Sequence, residues 1–186
     1  MALRATNADG DEQADLKNHG GRDRAVYAYA LEDYAWWSNE LGRPLGPGEF
    51  GENLTVEGLA VNDAVVGEHW QIGAEVELEV STPRMPCYKL AAKMNDPQFV
   101  ARFGKALRLG PYLRVVREGS VRSGDAIAVT YRPAHGVRIV DVGRIYLFAR
   151  EELPMLLGVR ELGEEWLAWA SKQVEARAEP RGRFAS

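Results

Sequence analysis

Glu75-Val76-Glu77-Leu78-Glu79-Val80 alternates without a break, and Ser81-Thr82-Pro83-Arg84-Met85-Pro86-Cys87 follows it directly. A period of two puts Val76, Leu78 and Val80 on one face of a strand, so that face enters a core and the glutamates meet water. The two prolines of the second half predict an irregular segment from Ser81 to Cys87. Lys89 to Met94 then reads as helical, which leaves Cys87 at or just before a helix N-terminus. Moving toward the N-terminus, His69-Trp70-Gln71-Ile72, Val65-Val66 and Leu54-Thr55-Val56 are short apolar runs between turn residues and read as strands. Pro44 to Gly51 is punctuated by Pro and Gly and is a loop. Tyr34, Trp37 and Leu41 fall at helical spacing between Glu32-Asp33 and Gly42, and Ala25 to Tyr29 reads as a strand. Residues 1–24 show no periodicity.

Toward the C-terminus, Asp96-Pro97 supplies an N-cap and first-turn proline for a helix carrying Phe99, Phe103 and Leu107, ended by Pro111. Tyr112 to Arg117 and Ala126 to Tyr131 read as strands around the turn Glu118 to Gly124. Beyond Pro133 the character changes. Asp141 to Arg150, Leu153 to Leu157 and Glu164 to Ala176 read as three short helices, the last with Trp166, Trp169, Ala170 and Val174 on one face. Arg181-Gly182-Arg183 reads as a frayed tail. The fold expected is mainly β over residues 1–133, with a small all-α appendage over residues 134–186.

The composition is that of an ordinary globular chain. Its 186 residues are 46% hydrophobic and 27% charged, which excludes collagen-like and disordered classes. Lys plus Arg number 23 against 27 Asp plus Glu, a net charge of -4, which argues against nucleic acid as the main partner. A single cysteine, Cys87, rules out an intramolecular disulfide and fits a reducing compartment. Met1 to Asp15 is polar and acidic, without the apolar stretch of a signal peptide, and no run is long enough for a transmembrane helix. A cytoplasmic protein without a membrane partner is expected.

Several chemistries drop out. Gly46-Pro47-Gly48-Glu49-Phe50-Gly51 matches GxGxxG formally, but it follows a helix where a dinucleotide site needs a strand. His19, His69 and His135 are far apart, with no second cysteine, so no zinc spacing exists. No GxSxG elbow is present. Three polar units remain. Cys87 stands at a helix start, flanked by Arg84 and Lys89, a setting suited to a thiolate acting as nucleophile or soft metal ligand. Asn18-His19-Gly20-Gly21-Arg22-Asp23-Arg24 pairs two glycines, which let backbone amides approach a ligand, with two arginines for an anion. Phe50-Gly51-Glu52-Asn53-Leu54 brings a neutral amide into a strand start, suited to a heterocycle. Together they point to a site for a phosphorylated ligand carrying a thiophilic metal.

Gly10-Asp11-Glu12-Gln13-Ala14-Asp15, His19-Gly20-Gly21, Arg24-Ala25-Val26, Phe50-Gly51-Glu52-Asn53-Leu54 and Pro83-Arg84-x-Pro86-Cys87-x-Lys89-Leu90 occur in the order and rough spacing of the MOSC domain, the module of molybdenum cofactor sulfurase C-termini. The chain resembles that family over residues 9 to about 176, and most resembles its bacterial hydroxylaminopurine-resistance branch, in which a helical tail follows the barrel. The resemblance implies a MOSC β-barrel with flanking helices that binds molybdenum cofactor in its molybdopterin form. It implies Cys87 as metal ligand and catalytic centre, with His19, Gly20, Gly21, Arg24, Asn53, Arg84 and Lys89 around the pterin or its phosphate.

By the same resemblance the protein reduces small N-hydroxylated compounds such as hydroxylaminopurines, a detoxification, with electrons from a flavin or iron–sulfur protein. A non-catalytic cofactor carrier or sulfur-transfer module is the alternative, and an inactive remnant acting through its helical tail is a third reading. Only Met1 to Ala8 precede Asp9-Gly10-Asp11, where the resemblance begins. Either the start is misassigned, or the first barrel strands are absent and the sheet edge is exposed or paired between chains.

Overall fold

The computed structural model describes residues 1–5 and 21–178. The Gly10 to Asp15 motif, His19, Gly20 and the tail Arg181 to Arg183 lie outside the described residues. Eight strands are present among those described: β1 (Ala2–Leu3), β2 (Val26–Ala30), β3 (Leu54–Val56), β4 (His69–Ile72), β5 (Val76–Pro83), β6 (Pro111–Arg117), β7 (Gly119–Ser120) and β8 (Ile127–Tyr131). The α-helices are α1 (Leu31–Leu41), α2 (Tyr88–Met94), α3 (Phe99–Ala106), α4 (Ile139–Leu147) and α5 (Glu164–Ala178). None of the described helices is long and apolar enough to cross a membrane.

Six strands form one mixed sheet in the order β3-β2-β6-β5-β4-β8, with β2 and β3 parallel and the other neighbours antiparallel. The expected barrel is only half closed. β3 and β8 end the sheet without bonding to each other, and three residues of β3 offer too few backbone groups to seal it. The gap between them is a cleft of about 870 Å³ lined by Leu54, Val56, Leu59, Ile72, Val121 and Ile127 among others. β1 pairs instead with β7 in a separate two-stranded ribbon, closed by the Met1 amino group donating to the Val121 carbonyl at 3.0 Å.

The sheet has an aliphatic face and an aromatic face, and β2 shows why. Val26, Ala28 and Ala30 enter the aliphatic core while Tyr27 and Tyr29 enter the aromatic one, so every residue of the strand is buried. α1 covers the aromatic face with Tyr34 and Trp37 and stops at Gly42, which takes the left-handed conformation at φ 64°. α3 adds Phe99 and Phe103 to the same cluster. It starts later and ends sooner than the sequence predicts. The Asp96 carboxylate accepts the Gln98 N–H at 2.8 Å, one turn ahead of Phe99, and Leu107 turns left-handed at φ 53° so that the chain can reverse into β6.

Other readings change in detail. Of the three glutamates only Glu75, just ahead of β5, is exposed; Glu77 lies 2.8 Å from His69 Nδ1, and Glu79 accepts from Arg114 at 2.7 Å. Val65-Val66 is not a strand but a single bridge from Val65 to Arg138, with Val66 N–H donating to Val137 at 3.0 Å. Ser81 to Pro83, predicted irregular, continues β5, because Pro83 sits at the strand end opposite Pro111 where a missing N–H does little harm. The middle C-terminal helix is 3-10 over Arg150–Gly158, since Pro154 inside it cannot donate to an α-helical ladder. Ile139, Val142, Ile145, Leu153, Leu156, Leu162 and Ala170 join the aliphatic core.

α4 begins with a capping box in which the Arg138 N–H donates to Asp141 Oδ2 at 3.1 Å and the Arg138 side chain binds the same carboxylate. Burial pushes the Asp141 carboxyl up, but the Arg138 hydrogen bonds and charge hold it below the ordinary carboxylate range. A depressed carboxyl stabilises the fold above its unfolded value and loses that contribution as pH falls through its folded one. Asp141→Asn should therefore lower stability by about 1 kcal/mol at neutral pH. Urea unfolding as a function of pH checks it, and the gap to wild type should close on acidification below the carboxylate range.

Candidate functional site

The site starts from a bulge in β5. Val80 pairs with Leu113 and Thr82 with Tyr112, so two steps along β5 match one along β6 and Ser81 is the extra residue. Its hydroxyl lies 2.5 Å from the Asp23 carbonyl and 2.9 Å from that of Tyr112, which holds the bulge in place. The extra residue exchanges faces. Val80 enters the aliphatic core, whereas Thr82 stands in a row with Tyr112 and Tyr27 on the aromatic face.

Arg84 follows on the same face. Its backbone N–H donates to Gly110 at 3.0 Å, and its guanidinium carbon lies 5.9 Å from the Tyr27 ring centre and 5.6 Å from that of Phe103. The residue is only 8% exposed, Thr82 only 2%. Arg84 Nη1 and Thr82 Oγ1 are both buried and have no hydrogen-bond partner among the described residues. Polar atoms without partners are uncommon in protein interiors and call for a physical reason.

Cys87 is half-buried and extended, at φ -135° and ψ 171°, and forms the N-cap of α2. Its carbonyl accepts the Leu90 N–H at 3.0 Å. Lys89 is exposed in the first turn of α2. The chain thus brings Arg84, Cys87 and Lys89 together as one strand-to-helix turn. Asn53 is tied to β2, its Oδ1 accepting the Tyr27 N–H at 2.8 Å and its own N–H donating to the Tyr27 carbonyl at 2.9 Å. Arg24 ends the 3-10 turn Arg22–Arg24 and pairs with Glu165 at 3.1 Å. Gly21 opens that turn at φ 98°, a conformation that favours glycine. His19 and Gly20 lie outside the described residues.

Two phenol hydrogen bonds tie down the floor of the site. Tyr27 Oη donates to the Leu109 carbonyl at 2.8 Å and Tyr29 Oη to the Arg108 carbonyl at 3.0 Å. Burial pushes both phenols far above their ordinary range, for Tyr27 partly offset by the Arg84 charge, so they stay neutral donors. Among the described residues no group of three or more His, Cys, Asp or Glu could hold a metal ion. A metal at Cys87 would have one soft sulfur from these residues, which suits a metal whose other ligands arrive on an organic cofactor. With the unpaired Arg84 nitrogen three residues away, the donor set fits an anionic metal–pterin group. Thr82 and the Tyr27–Phe103 shelf are the parts that sequence reasoning missed; the one available signal was the break in alternation at Ser81-Thr82.

A family model for the MOSC domain matches residues 15–128, and the chain belongs to that family. It is 38% identical over 178 residues to the Uncharacterized protein YflK of Bacillus subtilis (strain 168), covering 94% of this chain and 80% of that one. The structure is similar to the crystal structure of YiiM from Geobacillus stearothermophilus, with a TM-score of 0.81 at 28% identity over 94% of this chain and 84% of that one. A protein named Reductase from Gibberella moniliformis (strain M3125 / FGSC 7600) is 32% identical over 163 residues, which are 85% of this chain but 28% of that protein.

Proposed function

We propose that this protein binds a molybdenum cofactor of the molybdopterin type through Cys87 and reduces small N-hydroxylated compounds to amines. The observation that carries this reading is the half-buried Cys87 thiol, three residues from a buried Arg84 nitrogen that has no partner among the described residues. MOSC domains are associated with molybdenum cofactor, and family membership supports that group as the ligand. The relative named Reductase supports an oxidoreductase, with the chain matching 28% of its length. When bound, the cofactor supplies a centre that exchanges two electrons.

The chain's own residues bind and orient. Pro83 and Pro86 stiffen the backbone that presents the Cys87 sulfur. Arg84, held over Tyr27 and Phe103, turns an N–H edge toward an anion, and the aromatic cluster beneath keeps water from that side. The overall change is R–NHOH plus two electrons and two protons giving R–NH2 and water. The electrons come from a separate flavin or iron–sulfur protein.

The test is metal and pterin analysis of protein from a host that makes the cofactor, followed by turnover with a chemical reductant. Near-stoichiometric molybdenum and amine formation from hydroxylaminopurines or amidoximes are expected. Protein without molybdenum sinks the reading. A loaded, reducible sample that turns over none of these compounds, yet hands its cofactor to an apo-enzyme, establishes the carrier function instead.

A further inference from the structure

We infer that Thr82 and Arg84 form a buried subsite for a phosphate-type oxyanion, set more deeply than the Cys87 thiol. The bulge at Ser81 is what creates it. With a regular register Thr82 would stand on the aliphatic face with Val80; the extra residue turns it onto the face that carries Arg84 and Tyr27. A buried hydroxyl with no partner destabilises the fold, and valine would fill the same space without that penalty. Two such atoms, on residues two apart on one face, mark a place kept for a ligand.

The chemistry of the pair selects that ligand. Arg84 carries only donors and its buried Nη1 has no partner among the described residues, so the ligand brings acceptors and negative charge. The guanidinium carbon lies over the Tyr27 and Phe103 rings, contacts that use none of its N–H donors as hydrogen bonds to a carboxylate would. Thr82 and Arg84 are two residues apart, so their Cα atoms are separated by about 6.6 Å of extended chain. A phosphate group has at least three acceptor oxygens, so it can take one hydrogen bond from the hydroxyl and another from the guanidinium edge at once. The anion is either the monoester end of a larger ligand, in which case the inference deepens the cofactor reading and rests on it, or free inorganic phosphate, in which case it stands alone.

The experiment uses the full chain from a host that makes no molybdenum cofactor. Thermal unfolding is followed at constant ionic strength against inorganic phosphate and against glycerol 3-phosphate, for wild type, Thr82→Val and Thr82→Ser. Wild type should melt higher as anion is added. Thr82→Val should melt about 2–4 °C above wild type without anion, because the unpaired hydroxyl is gone. Its anion affinity should fall by about 10–100-fold, whereas Thr82→Ser keeps the response. Glycerol 3-phosphate binding at least as tightly as phosphate identifies a monoester as the source, and phosphate binding alone identifies the free anion. No response to either probe in wild type overturns the subsite, as does a Thr82→Val protein that melts below wild type and binds anion as before. Molybdenum content of wild type from a cofactor-making host reports separately on Cys87, so the two readings fail independently.

Discussion

If Cys87 holds the metal as proposed, Cys87→Ser should strip the protein of molybdenum and of turnover while leaving the fold standing. The backbone at Cys87 is extended, a conformation any residue adopts, and its carbonyl keeps its bond to the Leu90 N–H whatever the side chain. Serine is a favourable helix N-cap, so α2 should start where it does now and stability should change by no more than about 0.5 kcal/mol. The ligand chemistry changes far more. A serine hydroxyl offers a hard oxygen where a soft sulfur stood. Changes to groups that merely orient a metal ligand cost about 10–100-fold in metal affinity, and removing the ligand itself should exceed about 100-fold. The checks are the molar ratio of molybdenum to protein after gel filtration and the rate of amine formation from a hydroxylaminopurine. A Cys87→Ser protein that holds a full complement of metal assigns the ligand elsewhere.

The strand-to-helix turn was legible because its signals are local. Alternation from Glu75 to Val80, prolines at 83 and 86 and helical spacing after Cys87 are each set by a few neighbouring residues. β2 was legible as a strand, but its two buried faces follow from covering helices that no window of five residues contains. The ribbon joining Ala2–Leu3 to Gly119–Ser120, and the failure of β3 to meet β8, depend on partners more than fifty residues apart. At the site, Arg84 and Cys87 were legible from residue type and flanking charge. That Arg84 Nη1 has no partner was not, since it depends on Tyr27, Phe103 and Gly110 packing around it. Thr82 was missed for a related reason. Counting by twos from Val80 puts it in the aliphatic core; the polar pair Ser81-Thr82 breaks the alternation, but the register against Tyr112 is what identifies the extra residue.

Gly110→Ala should be among the most damaging single substitutions in the protein, at about 3–5 kcal/mol, a large share of the stability of a typical domain. Gly110 is buried at φ 68°, where a side chain is already strained. An added Cβ would also collide with the Ala28 carbonyl oxygen and approach Tyr27 Cε2 to 2.9 Å and Tyr29 Cδ2 to 3.0 Å. None of these can yield easily. Ala28 is in the middle of β2, and the two rings are pinned by their hydroxyls to Leu109 and Arg108 in the same loop. The damage should reach the site, because the Gly110 carbonyl accepts the Arg84 N–H while its own N–H donates to Asn62 Oδ1 at 2.9 Å. Asn62→Ala, which removes that acceptor without any collision, should cost about 1–3 kcal/mol and separates loss of anchoring from steric strain. Urea unfolding measures both effects, and molybdenum content reads the displacement of Arg84. A Gly110→Ala protein with wild-type stability and full metal would show that this loop moves freely and that Arg84 is held by something other than Gly110.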